Sequence, residues 1–188
     1  MVKLIKNIIT FISSVHCYYY LFLDLLGVKY KTISILISKW TGYYGISLRQ
    51  NFYSRTLSNC GDNLKVFHGA YICYKSVSIG DNCTIEEDCV ISNCEIGKDV
   101  IIAANVSVMS GKNHHDVDQL DKTFYETQSK QLDKVIIGNN IWIGTRAVIM
   151  AHISSGSVVG AGSVVNKNFS DENVIIAGVP AKLIRVRG

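Results

Sequence analysis

Proline is nearly absent from this sequence, and charged residues are scarce. Pro180 is the single proline among 188 residues, and Asp, Glu, Lys and Arg make up only 18%. The formal net charge is +4, and no run of Lys or Arg is long enough for a nucleic-acid-binding stripe. These features argue against a nucleic-acid-binding protein. The 48% of hydrophobic residues suffice for a sizeable core and argue against extensive disorder; the length suits one domain, or one domain with an appendage.

The cysteines lack the spacing of a metal or redox motif. There are six, but no two form a CxxC pair, and no His/Cys cluster has zinc-finger spacing. We therefore expect no metal centre. No convincing signal peptide precedes them, so we expect a reducing compartment and free thiols that fill a core.

The first 26 residues are strongly apolar and follow two lysines. A signal peptide would need a small-residue cleavage site, and none follows this stretch. A spanning helix would need about twenty nearly unbroken apolar residues. Polar residues interrupt the stretch at Ser13, Ser14, His16 and Asp24. We therefore expect one or two amphipathic helices that pack on the domain or on a sister chain, with a helix lying on a membrane surface as an alternative.

From about residue 60, the sequence repeats every six residues. The units read IGDNCT and IEEDCV from Ile79, stop near residue 109, and resume with IGNNIW and IGTRAV at Ile137. Each starts with Ile or Val, and the position two residues earlier is small or branched: Val77, Cys83, Cys89, Cys94, Val100, Val106, Ala147, Ser157 and Ser163. This period predicts a triangular solenoid in which both positions point inward and stacked turns share one core.

The repeat resembles that of the hexapeptide-repeat acyltransferases, whose fold is the left-handed parallel β-helix. At least eleven hexads are legible. The resemblance implies a mainly β chain with an N-terminal apolar helical segment (1–58), a β-helix (59–170) interrupted by a projecting loop (111–134), and a C-terminal tail packed on the coil (171–188). The left-handedness comes from the resemblance alone.

The loop, GKNHHDVDQLDKTFYETQSKQLDK, has no aliphatic ladder and must project from a corner. In the family that this sequence resembles, such a loop carries a catalytic histidine, a residue type suited to general-base catalysis near neutral pH. The GKNH match points to His114, and the HD match points to His115. We favour His114, because it completes the Gly-Lys-Asn-His match; His115 would then be a substrate contact or a neighbour that tunes the base. By the same resemblance, Asn113 and Asp116 are candidate substrate contacts, and Asp116 or Asp118 could orient the base.

Two further segments resemble the family's donor-binding regions. In VIIGNNIWIGTRAVI, Trp142 is expected to point outward and to line the channel for donor or acceptor, with Thr145 contacting the donor. A subunit contact is an alternative role for Trp142. The ending VVGAGSVVNKNFSDENVIIAGVPAKLIRVRG is the most specific match. By resemblance, a pantetheine arm would pass Ala161 and Gly162, and its phosphates would meet Asn166, Lys167 and Arg185.

One hexad departs from the family pattern. The unit at Ile149 reads IMAH, two residues short, where the family usually has Pro-Gly. We expect this shortened corner, which carries His152, to reshape the groove near the donor.

Together these features predict an acetyl-CoA-dependent O-acetyltransferase that acts on a sugar hydroxyl, with a histidine base and no metal. Residues 40–72 resemble the entry segment of enzymes that modify bacterial surface polysaccharides or their precursors. The resemblance also implies a homotrimer. We expect a cytoplasmic protein, with peripheral contact to the inner membrane face through residues 1–26 as an option.

Three alternatives remain at this point. An antibiotic acetyltransferase is the nearest enzymatic one. A trimeric zinc carbonic anhydrase would need three convergent histidines, drawn from His68, His114, His115 and His152. A non-enzymatic β-helical binding protein would have no affinity for coenzyme A.

Overall fold

The computed structural model describes residues 2–111, 115–127 and 133–188. In this part of the chain, helices precede a coil of short strands. The helices are α1 (Val2–Leu25), α2 (Tyr30–Ser38) and α3 (Gly42–Thr56). The strands are β1 (Asn59–Cys60), β2 (Lys65–Val66), β3 (Tyr71–Ile72), β4 (Ser78–Ile79), β5 (Thr84–Ile85), β6 (Val90–Ile91), β7 (Cys94–Ile96), β8 (Ile101–Ile102), β9 (Ser107–Val108), β10 (Val135–Ile137), β11 (Trp142–Ile143), β12 (Val148–Ile149), β13 (Val158–Val159), β14 (Val164–Val165), β15 (Val174–Gly178) and β16 (Ala181–Val186).

The strands form the three faces of a left-handed parallel β-helix, as the hexad repeat and its resemblance predict. Face A contains β1, β4, β7 and β10; face B contains β2, β5, β8, β11, β13, β15 and β16; face C contains β3, β6, β9, β12 and β14. Isolated bridges at Ile153 and Phe169 continue face A, so the described residues make six turns. Equivalent hexad positions pair directly between turns, as Ile85 does with Ile102.

The core of the coil consists of the two hexad positions that the sequence assigned to the interior. The leading aliphatics are buried, and so is every small or branched residue two positions earlier. Cys83, Cys89 and Cys94 fill these narrow slots as free thiols, as expected. The Cys89 thiol donates a hydrogen bond of 3.1 Å to the Ala103 carbonyl, and burial raises the pKa of Cys89 to about 11 and that of Cys94 to about 12.

Two of the three corners are built from residues in the left-handed backbone region. The corner from face A to face B has positive φ at Asn63, Asn82, Asp99, Asn140, Gly156 and Asn173, and the corner from face B to face C has it at Gly69, Asp88, Asn105, Arg146 and Gly162. Asn and Asp tolerate this conformation better than other residues with a side chain. They also stack: the Asn63 side-chain amide donates to Asn82 Oδ1 at 3.2 Å, and that of Asn82 donates to Asp99 Oδ1 at 3.1 Å.

The third corner, from face C back to face A, is irregular. Among the described residues, Gly111 is its single position with positive φ. Its connections differ in length between turns, and one of them is the insertion between β9 and β10. This corner is therefore the place where the repeat is free to change.

The helices close the amino-terminal end of the coil. Leu48, Phe52 and Tyr53 of α3 are fully buried against the first turn, and α1 lies outside on α3. Arg49 joins the two parts: its Nε donates to the Val66 carbonyl at 2.7 Å, and its Nη1 donates to the Ile37 carbonyl of α2 at 3.0 Å. Burial lowers the pKa of Arg49 to about 10.

The last segment turns back on the coil. Strand β15 continues face B in parallel with β13, and β16 then pairs antiparallel with β15. The turn between them contains the cis bond Val179–Pro180.

The corner ladder gives a test of backbone strain. We expect Asn82→Ala to lower the free energy of unfolding by about 1–2 kcal/mol, because alanine disfavours the left-handed region and cannot hydrogen-bond to Asn63 and Asp99. Asn82→Gly should cost less, since glycine keeps the backbone relaxed. Urea unfolding of the two variants checks this. Equal losses would show that backbone strain is not the cause.

Candidate active site

The loop leaves and rejoins the coil at the irregular corner. A Cβ added to Gly111 (φ +73°) would lie 2.7 Å from Asp133 atoms, so the two ends of the loop meet too closely for a side chain there. This explains the glycine at the point of exit. Across the described part of the loop, the backbone N–H of Asp116 donates to the Thr127 carbonyl at 3.1 Å.

His115 is held in one orientation on this loop. Its Nδ1 lies 2.7 Å from the Phe124 carbonyl oxygen, and its ring packs edge-on to the Phe124 ring with centroids 5.9 Å apart. A carbonyl oxygen can only accept, so Nδ1 carries the proton of the neutral ring. Nε2 then has its lone pair available, and the side chain is exposed in the single chain. This is the tautomer that a general base requires.

Asp116 has a local structural role. Its carboxylate accepts hydrogen bonds from the Gln119 side-chain amide and the Asp118 backbone N–H, and these bonds lower the pKa of Asp116. For His115, the acceptor that fixes the ring is thus a backbone carbonyl rather than the carboxylate that the sequence suggested. His114 and Asn113 lie outside the described residues.

A groove of about 440 Å³ opens at the foot of the loop. Its wall comes from the loop ends and from the next two turns at the same corner: Gly111, Asp133, Lys134, Val135, Met150, Ala151, His152, Asn166, Lys167 and Asn168. The shortened IMAH hexad contributes three of these residues, so the departure seen in the sequence forms part of this groove.

His152 has the opposite tautomer to His115. The Ile136 backbone N–H donates to its Nδ1 at 2.9 Å, and a backbone N–H cannot accept, so the proton of the neutral ring is on Nε2. The backbone N–H of His152 donates to the Asn168 side-chain oxygen at 3.0 Å, which holds the corner. His152 therefore offers this groove an N–H donor.

The residues predicted to bind the donor fall into separate groups within one chain. Asn166 and Lys167 line the groove at the irregular corner. Thr145, Ala161 and Gly162 lie at the opposite edge of face C, where the Gly162 N–H donates to the Thr145 carbonyl at 2.8 Å. Face C connects these two groups.

Trp142 and Arg185 lie on face B instead. The Trp142 side chain points outward from β11 and is 56% exposed, as predicted. Arg185 is exposed on β16. A single chain therefore does not bring all the predicted donor contacts together.

The described residues contain no group of three His, Cys, Asp or Glu side chains that could hold a metal ion. Lys134 is paired with Glu95 at 2.7 Å, whereas the Lys167 ammonium lies 5.5 Å from the Phe169 ring centroid. Of these two lysines at the groove, Lys134 thus neighbours a carboxylate, and Lys167 neighbours an aromatic ring.

Comparisons with known proteins agree with the hexapeptide-repeat fold. The family model "Bacterial transferase hexapeptide (six repeats)" matches residues 76–109, and "Hexapeptide repeat of succinyl-transferase" matches residues 134–167. Galactoside O-acetyltransferase of Escherichia coli K12 is 33% identical over 151 residues, which cover 74% of this chain and 69% of that protein. The chain belongs to the hexapeptide-repeat sugar O-acetyltransferases. A provisionally named lipopolysaccharide biosynthesis O-acetyl transferase of the same strain, WbbJ, is 30% identical over 142 residues, covering 72% of this chain and 70% of that one.

A solved structure supports the same family. Galactoside acetyltransferase in complex with coenzyme A superimposes with a TM-score of 0.71 at 28% identity, covering 84% of this chain and 79% of that one. For this acetyltransferase, sequence reasoning located the loop and the outward Trp142, and it named Asn166 and Lys167, which line the groove. It did not find the Phe124 carbonyl, because a backbone acceptor leaves no signal in the residue types. His152 did have a signal, the missing two residues of its hexad.

Proposed function

We propose that this protein transfers the acetyl group of acetyl-CoA to a sugar hydroxyl of a bacterial surface polysaccharide or its precursor, with a loop histidine as general base. The hydrogen bond from His115 Nδ1 to the Phe124 carbonyl carries the proposal, because it presents a basic Nε2 outside the coil. The donor is supported by the coenzyme A in the related galactoside acetyltransferase structure. The polysaccharide acceptor is supported by the likeness to WbbJ.

In the proposed reaction, Nε2 removes the hydroxyl proton while the sugar oxygen attacks the thioester carbonyl. The C–S bond then breaks, and the coenzyme A thiolate takes the proton from the imidazolium. The products are an acetyl ester and free coenzyme A. Thiolate is a good leaving group, so the step needs no covalent acyl-enzyme.

We further propose a homotrimer as the active form. Trp142 and Arg185 on face B lie away from the groove on the irregular corner of the same chain. A neighbouring coil that docks its face B beside this groove would complete the donor site. Each site would then lie between two chains.

The sequence match favours His114 as the base, whereas the geometry supports His115, so the two single variants decide between them. We expect His115→Ala to lower kcat about 10²–10⁴-fold, the usual contribution of a general base, with the KM for acetyl-CoA unchanged. His114→Ala should have a much smaller effect. Thiol release from acetyl-CoA with a sugar acceptor measures both, and the reverse ranking would assign the base to His114.

Lys167 provides a test of donor binding. We expect Lys167→Ala to raise the KM for acetyl-CoA roughly tenfold with little change in kcat, because the variant loses a charge-assisted contact to phosphate. The increase should vanish with acetyl-pantetheine, which lacks the nucleotide phosphates. Lys98→Ala, at the corner between faces A and B, is the matched control. An unchanged KM for Lys167→Ala would remove this lysine from the donor site.

The acceptor class is tested by an acceptor panel. We expect acetylation of oligosaccharide fragments of surface polysaccharides, with higher kcat/KM than for simple galactosides and with no turnover of chloramphenicol. Mass spectrometry of the products identifies the ester. Preferential turnover of simple galactosides would support a free-sugar acetyltransferase, and turnover of chloramphenicol alone would support an antibiotic acetyltransferase.

A further inference from the structure

Helix α1 directs polar residues toward the protein and apolar residues outward, the reverse of the usual arrangement for a helix on a soluble domain. The side of α1 that packs on α3 carries its polar residues, which are bonded there: Ser13 Oγ lies 2.7 Å from Ser47 Oγ, and His16 Nδ1 lies 2.6 Å from Tyr44 Oη. At the carboxyl end, Asp24 pairs with Lys75 at 2.6 Å. These polar side chains of α1 are thus bonded to the rest of the protein and do not face the solvent.

The outward side of α1 is apolar along its whole length. Leu4, Ile8, Phe11, Val15, Phe22 and Leu25 are between 50% and 84% exposed. They recur at spacings of three, four or seven residues and so share one side of the helix. The helix has 24 residues, contains an 18-residue window with a mean hydropathy of 1.3, and is long and apolar enough, by length and composition, to cross a membrane. A continuous exposed apolar surface of this length marks an interaction site.

The charge of the helical segment indicates the partner. Residues 1–58 contain seven Lys or Arg but one acidic residue, Asp24, whereas the rest of the chain contains twelve basic and fourteen acidic residues. The first turns of α1 contain Lys3 and Lys6 and no acidic residue. The Lys6 ammonium lies 5.4 Å from the centroid of the Tyr43 ring on α3. Cations at a helix amino terminus oppose the helix dipole, so helix stability alone does not account for Lys3. Anionic lipid headgroups beside the apolar side of α1 would account for a cation at this position.

We propose that α1 lies flat in the interface of an anionic membrane, with its apolar side among the lipids and its polar side on α3. The inference is independent of the acetyl transfer proposed above. A spanning orientation would separate Ser13 from Ser47, His16 from Tyr44 and Asp24 from Lys75. A second copy of the helical segment would bring together two segments that each carry seven basic residues and one acidic residue, which disfavours it as the occupant of this surface.

Vesicle flotation of the full-length protein tests the proposal. We expect the protein to float with vesicles of equimolar phosphatidylcholine and phosphatidylglycerol, less with phosphatidylcholine alone, and less at high salt. Phe11→Glu/Phe22→Glu should lower the partition coefficient at least about tenfold, because each exposed phenyl ring contributes apolar area. Lys3→Glu/Lys6→Glu should remove the preference for phosphatidylglycerol.

Ile184→Glu, an equally exposed apolar position on β16, is the matched control and should float like the parent protein. Circular dichroism and the molar mass in solution are measured for each variant. No flotation with either vesicle, or equal flotation of the Phe11/Phe22 variant, would overturn the proposal. The proposal would also be overturned if the parent protein did not bind vesicles and the Phe11/Phe22 variant had a lower molar mass than the parent. That result would assign the surface to subunit contact.

Discussion

The structure depends on the stacking of identical backbone conformations from one turn of the coil to the next. Parallel strands of two or three residues are too short to be stable alone, so each turn relies on the turn above and below for its hydrogen bonds. The stacking is regular where a corner bends in the same way in each turn. Asparagine, aspartate and glycine in the left-handed region achieve this at two corners, and the side-chain ladder through Asn63, Asn82 and Asp99 ties them together.

The third corner does not repeat in this way, and the candidate active site lies there. With no recurring left-handed residue to maintain, the corner accepts the long insertion between β9 and β10 and the shortened hexad before Ile153. The two changes are adjacent in the stack, and together they leave the groove at the foot of the loop. The same rigid coil thus fixes the floor of the site while the variable corner determines its shape.

The sequence was sufficient to predict the coil. It was insufficient to predict the orientation of the histidine rings and of helix α1. Both inward hexad positions could be predicted, from Val77 to Ser163, because a six-residue period leaves few ways to bury an aliphatic ladder. The position of the loop and the exposure of Trp142 followed from the same register. The tautomers of His115 and His152 could not be predicted, because each depends on a backbone group distant in the sequence, the Phe124 carbonyl and the Ile136 N–H. The reversed packing of α1 was also hidden, since hydrophobic periodicity does not reveal which side of a helix contacts the protein.

Strand β16 has a consequence for the open end of the coil. A parallel β-helix is open-ended, and its last turn presents unpaired backbone groups on which another chain could grow. In this chain β16 reverses direction and adds one antiparallel strand to face B, with Lys182 and Arg185 exposed along it. Charged side chains on an edge strand oppose further strand addition. These residues therefore disfavour the addition of a further strand to face B at the carboxyl-terminal end of the coil.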